Sequence, residues 1–296
     1  MAKHLVTGGS GFLGNLIIKR LLKAGHEVIS VDIWEDTEIS RDIQFLNIDV
    51  RDSNRISKAM RGVQMVHHNA ALVPLTKSGK DFWSVNVEGS MVVARAALEN
   101  DVETFIHMSS SAIYGAPSEL PITRQTPTNP IEIYGRGKLA GELAVRKILE
   151  NSNVTSIAIR PRTIIGNERL GIFKLLFDWI AEGRDIYTIG NGNNLFQFVH
   201  AHDLMDAYMI IASHGKTGAF NVGTNDFGTL NEALSNLITH ANSKSKIRHL
   251  PSGLTIKTLQ TLDKLKLSPL APWHYLTYDK PFHFDVSELI LSLIHI

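Results

Sequence analysis

Tyr134 and Lys138 lie four residues apart in the run Ile133-Tyr134-Gly135-Arg136-Gly137-Lys138. On a helix, residues at i and i+4 share a face. A phenol with an ordinary pKa of about 10 is a poor base at neutral pH. An ammonium beside it favours the phenolate and lowers that value. A serine-rich stretch, Ser109-Ser110-Ser111, lies upstream. A serine hydroxyl there can hold a substrate oxygen while the tyrosine moves the proton. This is general acid–base chemistry at an alcohol or carbonyl carbon, and it needs a partner that takes or gives hydride. A Tyr-x-x-x-Lys match alone also describes a solvent-facing helix with its lysine lying along the surface. The surroundings of the pair decide between the two.

A hydride carrier has its own signature at the start of the chain. Gly8, Gly11 and Gly14 recur at three-residue spacing in Thr7-Gly8-Gly9-Ser10-Gly11-Phe12-Leu13-Gly14, between a strand-like run and a helical one. The first glycine permits a tight turn, the second lets a pyrophosphate approach the backbone, and the third lets helix and strand pack closely. The N–H groups and dipole of the helix start then face the phosphates. Asp32 ends the next strand-like run, at the distance expected of a carboxylate that binds ribose hydroxyls and repels a 2′-phosphate. Ile33, Trp34, Glu35 and Asp36 follow it, with no Arg or Lys close by. The pattern favours NAD over NADP. Asp49-Val50 closes the third strand at the same sheet edge, where Asp49 is placed to accept from an adenine amino group.

These residues need a frame. Strands are expected at Lys3 to Val6, Val28 to Asp32, Ile43 to Ile48, Met65 to His67, Phe105 to Met108 and Ser156 to Ile159. Helices are expected at Phe12 to Lys23, Val85 to Glu99 and Tyr134 to Glu150. Strands alternating with helices imply βαβ units and a parallel sheet covered on both faces. The fold class is therefore α/β, a doubly wound Rossmann sheet with a smaller, mostly helical C-terminal substrate region. Residues 1–165 form the NAD-binding domain, rejoined by about 195–225. Residues 166–194 and 226–296 form the substrate-binding region. Within these, Gly171 to Glu182 reads as a helix, Asp203 to Ser213 as another capped by Asp203, and Ala219 to Val222 as a strand. Leu289 to Ile296 is an apolar octet without a C-cap. From the residues it reads as a buried final helix, a truncation or a non-native tail.

Composition narrows the classes. Of 296 residues, 44% are apolar and 20% charged, enough for a real core. A net charge of +1 gives no sign of nucleic acid or an acidic membrane as partner. Cysteine is absent, which removes disulfides, thiolate zinc sites and thiol catalysis and suits a cytoplasmic location. No signal peptide and no membrane-spanning run are expected. The thirteen histidines do not cluster at metal-ligand spacing. His67 and His68 are adjacent and face opposite ways in a strand. No metal is expected.

Taken together, these motifs resemble the extended short-chain dehydrogenase/reductases of the NAD-dependent epimerase/dehydratase family. The resemblance runs in order over residues 3 to 225. Thr7 to Gly14 is similar to the family's cofactor turn, which implies cofactor contacts from Gly8, Ser10, Gly11, Phe12, Leu13 and Gly14. Asp49-Val50 resembles its adenine-contacting pair, and Asn69-Ala70-Ala71 the element after its fourth strand. Asn86 resembles a structural asparagine beside the cofactor. Ser109 to Gly115 resembles the serine strand end; counting back from Tyr114-Gly115 places the catalytic hydroxyl at Ser110, with Ser111 next and Ala112 beside it. Tyr134 to Lys138 resembles the active-site helix, where both side chains also meet the cofactor. Ile159-Arg160-Pro161-Arg162 resembles the Arg-Pro element beside the nicotinamide, and Met108 and Pro161 join the cofactor set. The family also implies a small-molecule substrate and a homodimer through the helices carrying Tyr134 and Asn86.

Two departures bear on the substrate. Where sugar-nucleotide members carry Arg-Asp before the Val-His element, this chain has Phe196-Gln197. Arg162, Arg169 or Lys174 would then supply charge to a diphosphate. The apolar run Ile172 to Phe177, with Phe196, equally suits a hydrophobic substrate. The expected activity is oxidation of a secondary alcohol of sugar or sugar-nucleotide type, with the ketone released or reduced again. A hydrophobic hydroxysteroid or ketone substrate is the alternative, and a dinucleotide-sensing regulator without turnover is a third. The echo at Phe282 to Ser287 breaks at Glu288, which implies that the natural C-terminus is missing.

Overall fold

The computed structural model describes residues 1–73, 81–166, 173–265, 267–268, 270–287 and 289. Its central sheet has seven parallel strands. These are β1 (Lys3–Thr7), β2 (Glu27–Asp32), β3 (Gln44–Asn47), β4 (Met65–His68), β5 (Thr104–Met108), β6 (Thr155–Pro161) and the strand Gly218–Val222. Across the sheet the order is Gly218–Val222, β6, β5, β4, β1, β2, β3. The chain winds outward from β1 to β3, then returns to lay β4 on the other side of β1. Such a reversal opens a crevice at the carboxyl ends of the strands, where ligands bind in this class of sheet.

Two apolar layers hold the sheet. Ile17, Ile18 and Leu21 of α1 (Phe12–Lys23) pack with Leu204, Met205 and Tyr208 of a later helix on one face. On the other face, Ile56 of α2 (Ser53–Ala59) packs with Val93, Ala94 and Ala97, and with Val145 and Leu149 of the helix bearing Tyr134. Leu5 and Val6 of β1 are fully buried, each worth about 1.5–3 kcal/mol of transfer free energy. Alternation along β4 sends His67 and His68 to opposite layers. His67 is hydrogen-bonded to His4 (2.9 Å) and Tyr208 (2.7 Å). His68 is hydrogen-bonded to Thr7 (2.7 Å) and Ser90 (2.9 Å).

Several boundaries differ from the sequence expectation for identifiable reasons. The expected helix from Val85 is part of a longer run. It starts as α3 (Asp81–Trp83), widens into a π-helical stretch at Ser84–Gly89, and continues as α4 (Ser90–Glu99). α5 (Ile133–Leu149) carries the Tyr/Lys pair, and α6 (Phe173–Ala181) replaces the helix expected from Gly171; residues 171–172 lie outside the described set. α7 (Ala201–His214) starts two residues before Asp203. Its cap is His200, which accepts from the His202 N–H at 3.3 Å. Asp203 sits instead in the first turn, where its charge favours the helix dipole.

Among the described residues, the region after Thr229 is mostly helical, with one strand that the sequence reading did not expect. Ile247–Leu250 forms a parallel pair with Ile186–Ile189. Its Arg248 and His249 are exposed, so no apolar alternation betrays it. Gln197, fully buried, joins distant segments: its amide donates to the Thr224 carbonyl (2.7 Å) and its oxygen accepts from the Phe284 N–H (2.9 Å). The tail from Glu288 lies outside the described residues except for Leu289. Among the described residues, no helix is long and apolar enough to cross a membrane.

Candidate active site

A cleft of about 620 Å³ opens at the carboxyl ends of β1, β2, β4, β5 and β6. Its floor is the glycine turn. Gly8 sits at φ +67°, a left-handed conformation that favours glycine, and Gly11 caps α1 without a side chain. Among the described residues, and leaving aside its chain neighbours, a Cβ on Gly11 would meet only the Gly8 carbonyl oxygen, 3.2 Å away, so that flank opens on the cleft. A Cβ on Gly14 would collide with the Gly8 carbonyl, so this glycine lets α1 seat against β1. Phe12 and Leu13 also line the wall. The residues fit a dinucleotide: a helix start opens on a cleft with its near flank stripped of side chains.

Asp32 lines the cleft at the end of β2 and accepts from the Ile33 N–H (2.7 Å) and the Ser10 N–H (3.1 Å). Burial raises its pKa, against those backbone hydrogen bonds. Ser10 does not line the cleft. Its hydroxyl donates to the Trp34 carbonyl (2.8 Å) and accepts from the Asp36 N–H (3.2 Å), fastening the loop after β2. Asp49 and Val50 line the far wall. Hydrogen bonds from Arg51 lower the Asp49 pKa; Nε donates at 2.9 and 3.1 Å and Nη2 at 2.6 Å. Arg51 also reaches Ser84 (3.0 Å) and Asp81 (3.5 Å). Asn69, Ala70 and Ala71 lie on the wall between the two halves. Asn86 stands behind it: its Oδ1 accepts from the Leu72 N–H (2.8 Å) and its Nδ2 donates to the Leu72 carbonyl (3.0 Å). That pair sets the strand end from behind.

The other half is organised by α5. Glu132 caps it, accepting from the Tyr134 and Gly135 N–H groups at 2.7 and 2.6 Å; burial raises the pKa of this carboxyl. Glycines on α5 bring it close to its neighbours. A Cβ on Gly135 would lie 2.6 Å from the Ala112 carbonyl, and one on Gly141 would strike the Asn86 carbonyl. Tyr134 and Lys138 both line the cleft with Met108, Ser110, Ser111 and Pro161. Lys138 is buried, and its Nζ donates to the Met108 carbonyl at 2.8 Å. Ser110 caps the turn Ser111–Tyr114, accepting from the Ala112 N–H at 3.2 Å. Ala112 is 1% exposed and lies outside the wall, because its carbonyl faces Gly135.

The residues expected at the substrate end divide. Arg162 and Thr163 line the cleft. Phe196 does not; it is 2% exposed, with its ring under the Arg162 guanidinium. Lys174 is surface-exposed and ion-paired with Asp178 at 2.9 Å, and Arg169 lies outside the described residues. Of the apolar run Ile172 to Phe177, Phe173 reaches the wall.

The NAD dependent epimerase/dehydratase family matches residues 4–223. The chain belongs to this family. It is an NAD-dependent enzyme of the extended short-chain dehydrogenase/reductase type, and NAD is its cofactor. An uncharacterized protein of Sinorhizobium fredii, y4nG, is 39% identical over 96% of this chain and 72% of its own length. A putative UDP-glucose 4-epimerase of Methanocaldococcus jannaschii is 27% identical over 80% of this chain and 81% of its own. The decarboxylating sterol-4-alpha-carboxylate 3-dehydrogenase of Mus musculus is 29% identical over 90% of this chain and 77% of its own.

Other wall residues escaped the sequence reading. Arg51 follows the Asp49-Val50 pair directly, and a cation two residues from a strand-end aspartate is the signal that could have found it. Ser109 sits in the flagged serine run. Trp273, His274 and Tyr278 come from Pro272–Thr277 and the residue after it. No local spacing announces them.

Proposed function

We propose that this cleft oxidises a secondary alcohol by proton transfer through Tyr134, Lys138 and Ser110. The observation that carries the reading is the meeting of these three residues with the glycine turn and Asp32 in one cleft. Bound NAD supplies the hydride acceptor and, where the ketone is reduced again, the donor. Tyr134 takes the hydroxyl proton. Lys138, held by the Met108 carbonyl, keeps a positive charge one turn along the helix and favours the phenolate. Ser110 orients the reacting oxygen. Asp32 holds the adenosine ribose, and Asn69 to Ala71, Met108 and Pro161 line the cofactor's path. Residues 166–194 and 226–296 act as the substrate-binding region, and α4 and α5 as a homodimer face.

A sugar nucleotide is the substrate class that the family and the relative from M. jannaschii favour. Turnover of UDP-sugars by the full chain, lost in Tyr134→Phe, is the result expected. Unchanged turnover in Tyr134→Phe would remove the assigned base. NAD that stays with the protein through gel filtration would support a ketone reduced again in place; a need for fresh NAD each turnover would support its release.

The aromatic lining from Phe173, Trp273 and Tyr278, with the sterol dehydrogenase relative, favours a second reading, a hydrophobic hydroxysteroid or ketone. Thermal shift with millimolar UDP separates the two: no response counts against a nucleotide substrate.

A further inference from the structure

Two arginines stand two residues apart at the end of β6 and are treated differently by the fold. Arg160 is buried and fully engaged. Its Nε and Nη2 donate to Glu142 and its Nη1 to the Tyr114 hydroxyl. Arg162 is 3% exposed. Its guanidinium lies between two rings, 4.6 Å from the Phe196 centroid and 4.3 Å from that of Phe282. Its Nη1 donates to Thr163 Oγ1 at 2.6 Å, and its Nε has no acceptor. Among the described residues, no carboxylate is paired with it. Burial lowers its pKa to about 10, so it remains a cation at neutral pH.

Burying a guanidinium without a counterion is costly, and folds seldom keep such a group without use. Arg162 lines the cleft. The carboxylates of that wall, Asp32, Asp49 and Asp81, stand at the β2–β3 end. The reacting end presents Lys138 and Arg162 against serine, threonine and aromatic side chains. His274 beside them is held neutral, because burial lowers its pKa to about 4. Lys138 is occupied by the Met108 carbonyl. The guanidinium, pinned between two rings, is a preorganised fork at an end of the cleft that no carboxylate lines among the described residues.

We propose that Arg162 is the receptor for an oxyanion of the substrate, a phosphate or a carboxylate. This deepens the reading above, since it requires that the substrate sit beside Tyr134; the test depends on binding alone. The NAD-loaded full chain is titrated calorimetrically with UDP and, separately, with D-glucuronate. Wild type should bind at least one. Arg162→Met should weaken that binding by roughly 30-fold or more, and Arg162→Lys should restore part of it. A response to UDP identifies the phosphate, and one to glucuronate the carboxylate. NAD affinity and unliganded melting temperature report folding. No partner charge is stranded by Arg162→Met, so both should hold at wild-type level. Tyr134→Phe should still bind the anion, which separates failure of the catalytic reading from failure of this one. Equal anion binding by wild type and Arg162→Met, or no binding of either probe by wild type, would overturn the proposal.

Discussion

At the residue scale, the proposed chemistry rests on a few side chains whose roles predict different losses. Tyr134→Phe removes only the titrating hydroxyl, so kcat should fall by roughly 10²–10⁴. NAD affinity, measured by fluorescence titration, should hardly move. Loss of cofactor binding in that variant would mean that Tyr134 holds the cofactor rather than the proton. That Tyr134, Lys138 and the serine run come together was legible because each is a short-range pattern: a shared helix face, and hydroxyls at a strand end. Arg51 was not, because its value lies in reaching Asp49, Asp81 and Ser84 together. The resemblance implies a cofactor contact from Ser10 and a structural place beside the cofactor for Asn86. The folded chain uses both to brace the wall, Ser10 through the loop after β2 and Asn86 through Leu72.

At the element scale, α5 has to approach its neighbours closely, and its glycines permit this against their own helix propensity. Ala is favoured over Gly in a helix interior by about 1 kcal/mol. At Gly135 the methyl would lie 2.6 Å from the Ala112 carbonyl, and overpacking of that kind costs about 1–3 kcal/mol. The clash should win. Gly135→Ala should lower the urea midpoint and reduce kcat, because α5 retreats from the Ser110 turn; a more stable and fully active variant would show that the turn yields instead. Buried Glu142 makes a second prediction. Arg160→Met strands its carboxylate beside Tyr114, which should destabilise the chain by about 3–5 kcal/mol, read by urea unfolding. Helix periodicity revealed α1 and α5 well. It did not reveal the widened turns at Ser84–Gly89, because nothing in the apolar spacing distinguishes a π-helical stretch.

At the scale of the whole molecule, the parallel sheet buries histidines between its layers. Burial lowers the pKa of His4 to about 4 and of His68 to about 3, and holds His67 and His107 well below their usual value. The unfolded chain takes up protons near 6.5 while the folded one does not. Their contribution to stability is therefore complete above that value and is lost as pH falls, by up to about 1.4 kcal/mol per histidine per pH unit. The melting temperature should drop between pH 6.5 and 5; a flat profile would mean that the fold opens to admit the protons. The same scale separates what the sequence determined from what only the tertiary structure decided. The βαβ alternation, the glycine turn with Asp32 and the Tyr134/Lys138 face were determined locally, because spacing within one strand, turn or helix controls the direction of each side chain. Phe196 is a departure that the sequence assigns to a hydrophobic substrate; folding made it the platform under Arg162. Trp273, His274 and Tyr278 entered the cleft from more than a hundred residues away. Whether a buried charge has a counterion depends on which distant segments fold against it, and no periodicity in the chain encodes that. Arg160 and Arg162, two residues apart at the end of β6, differ for this reason alone.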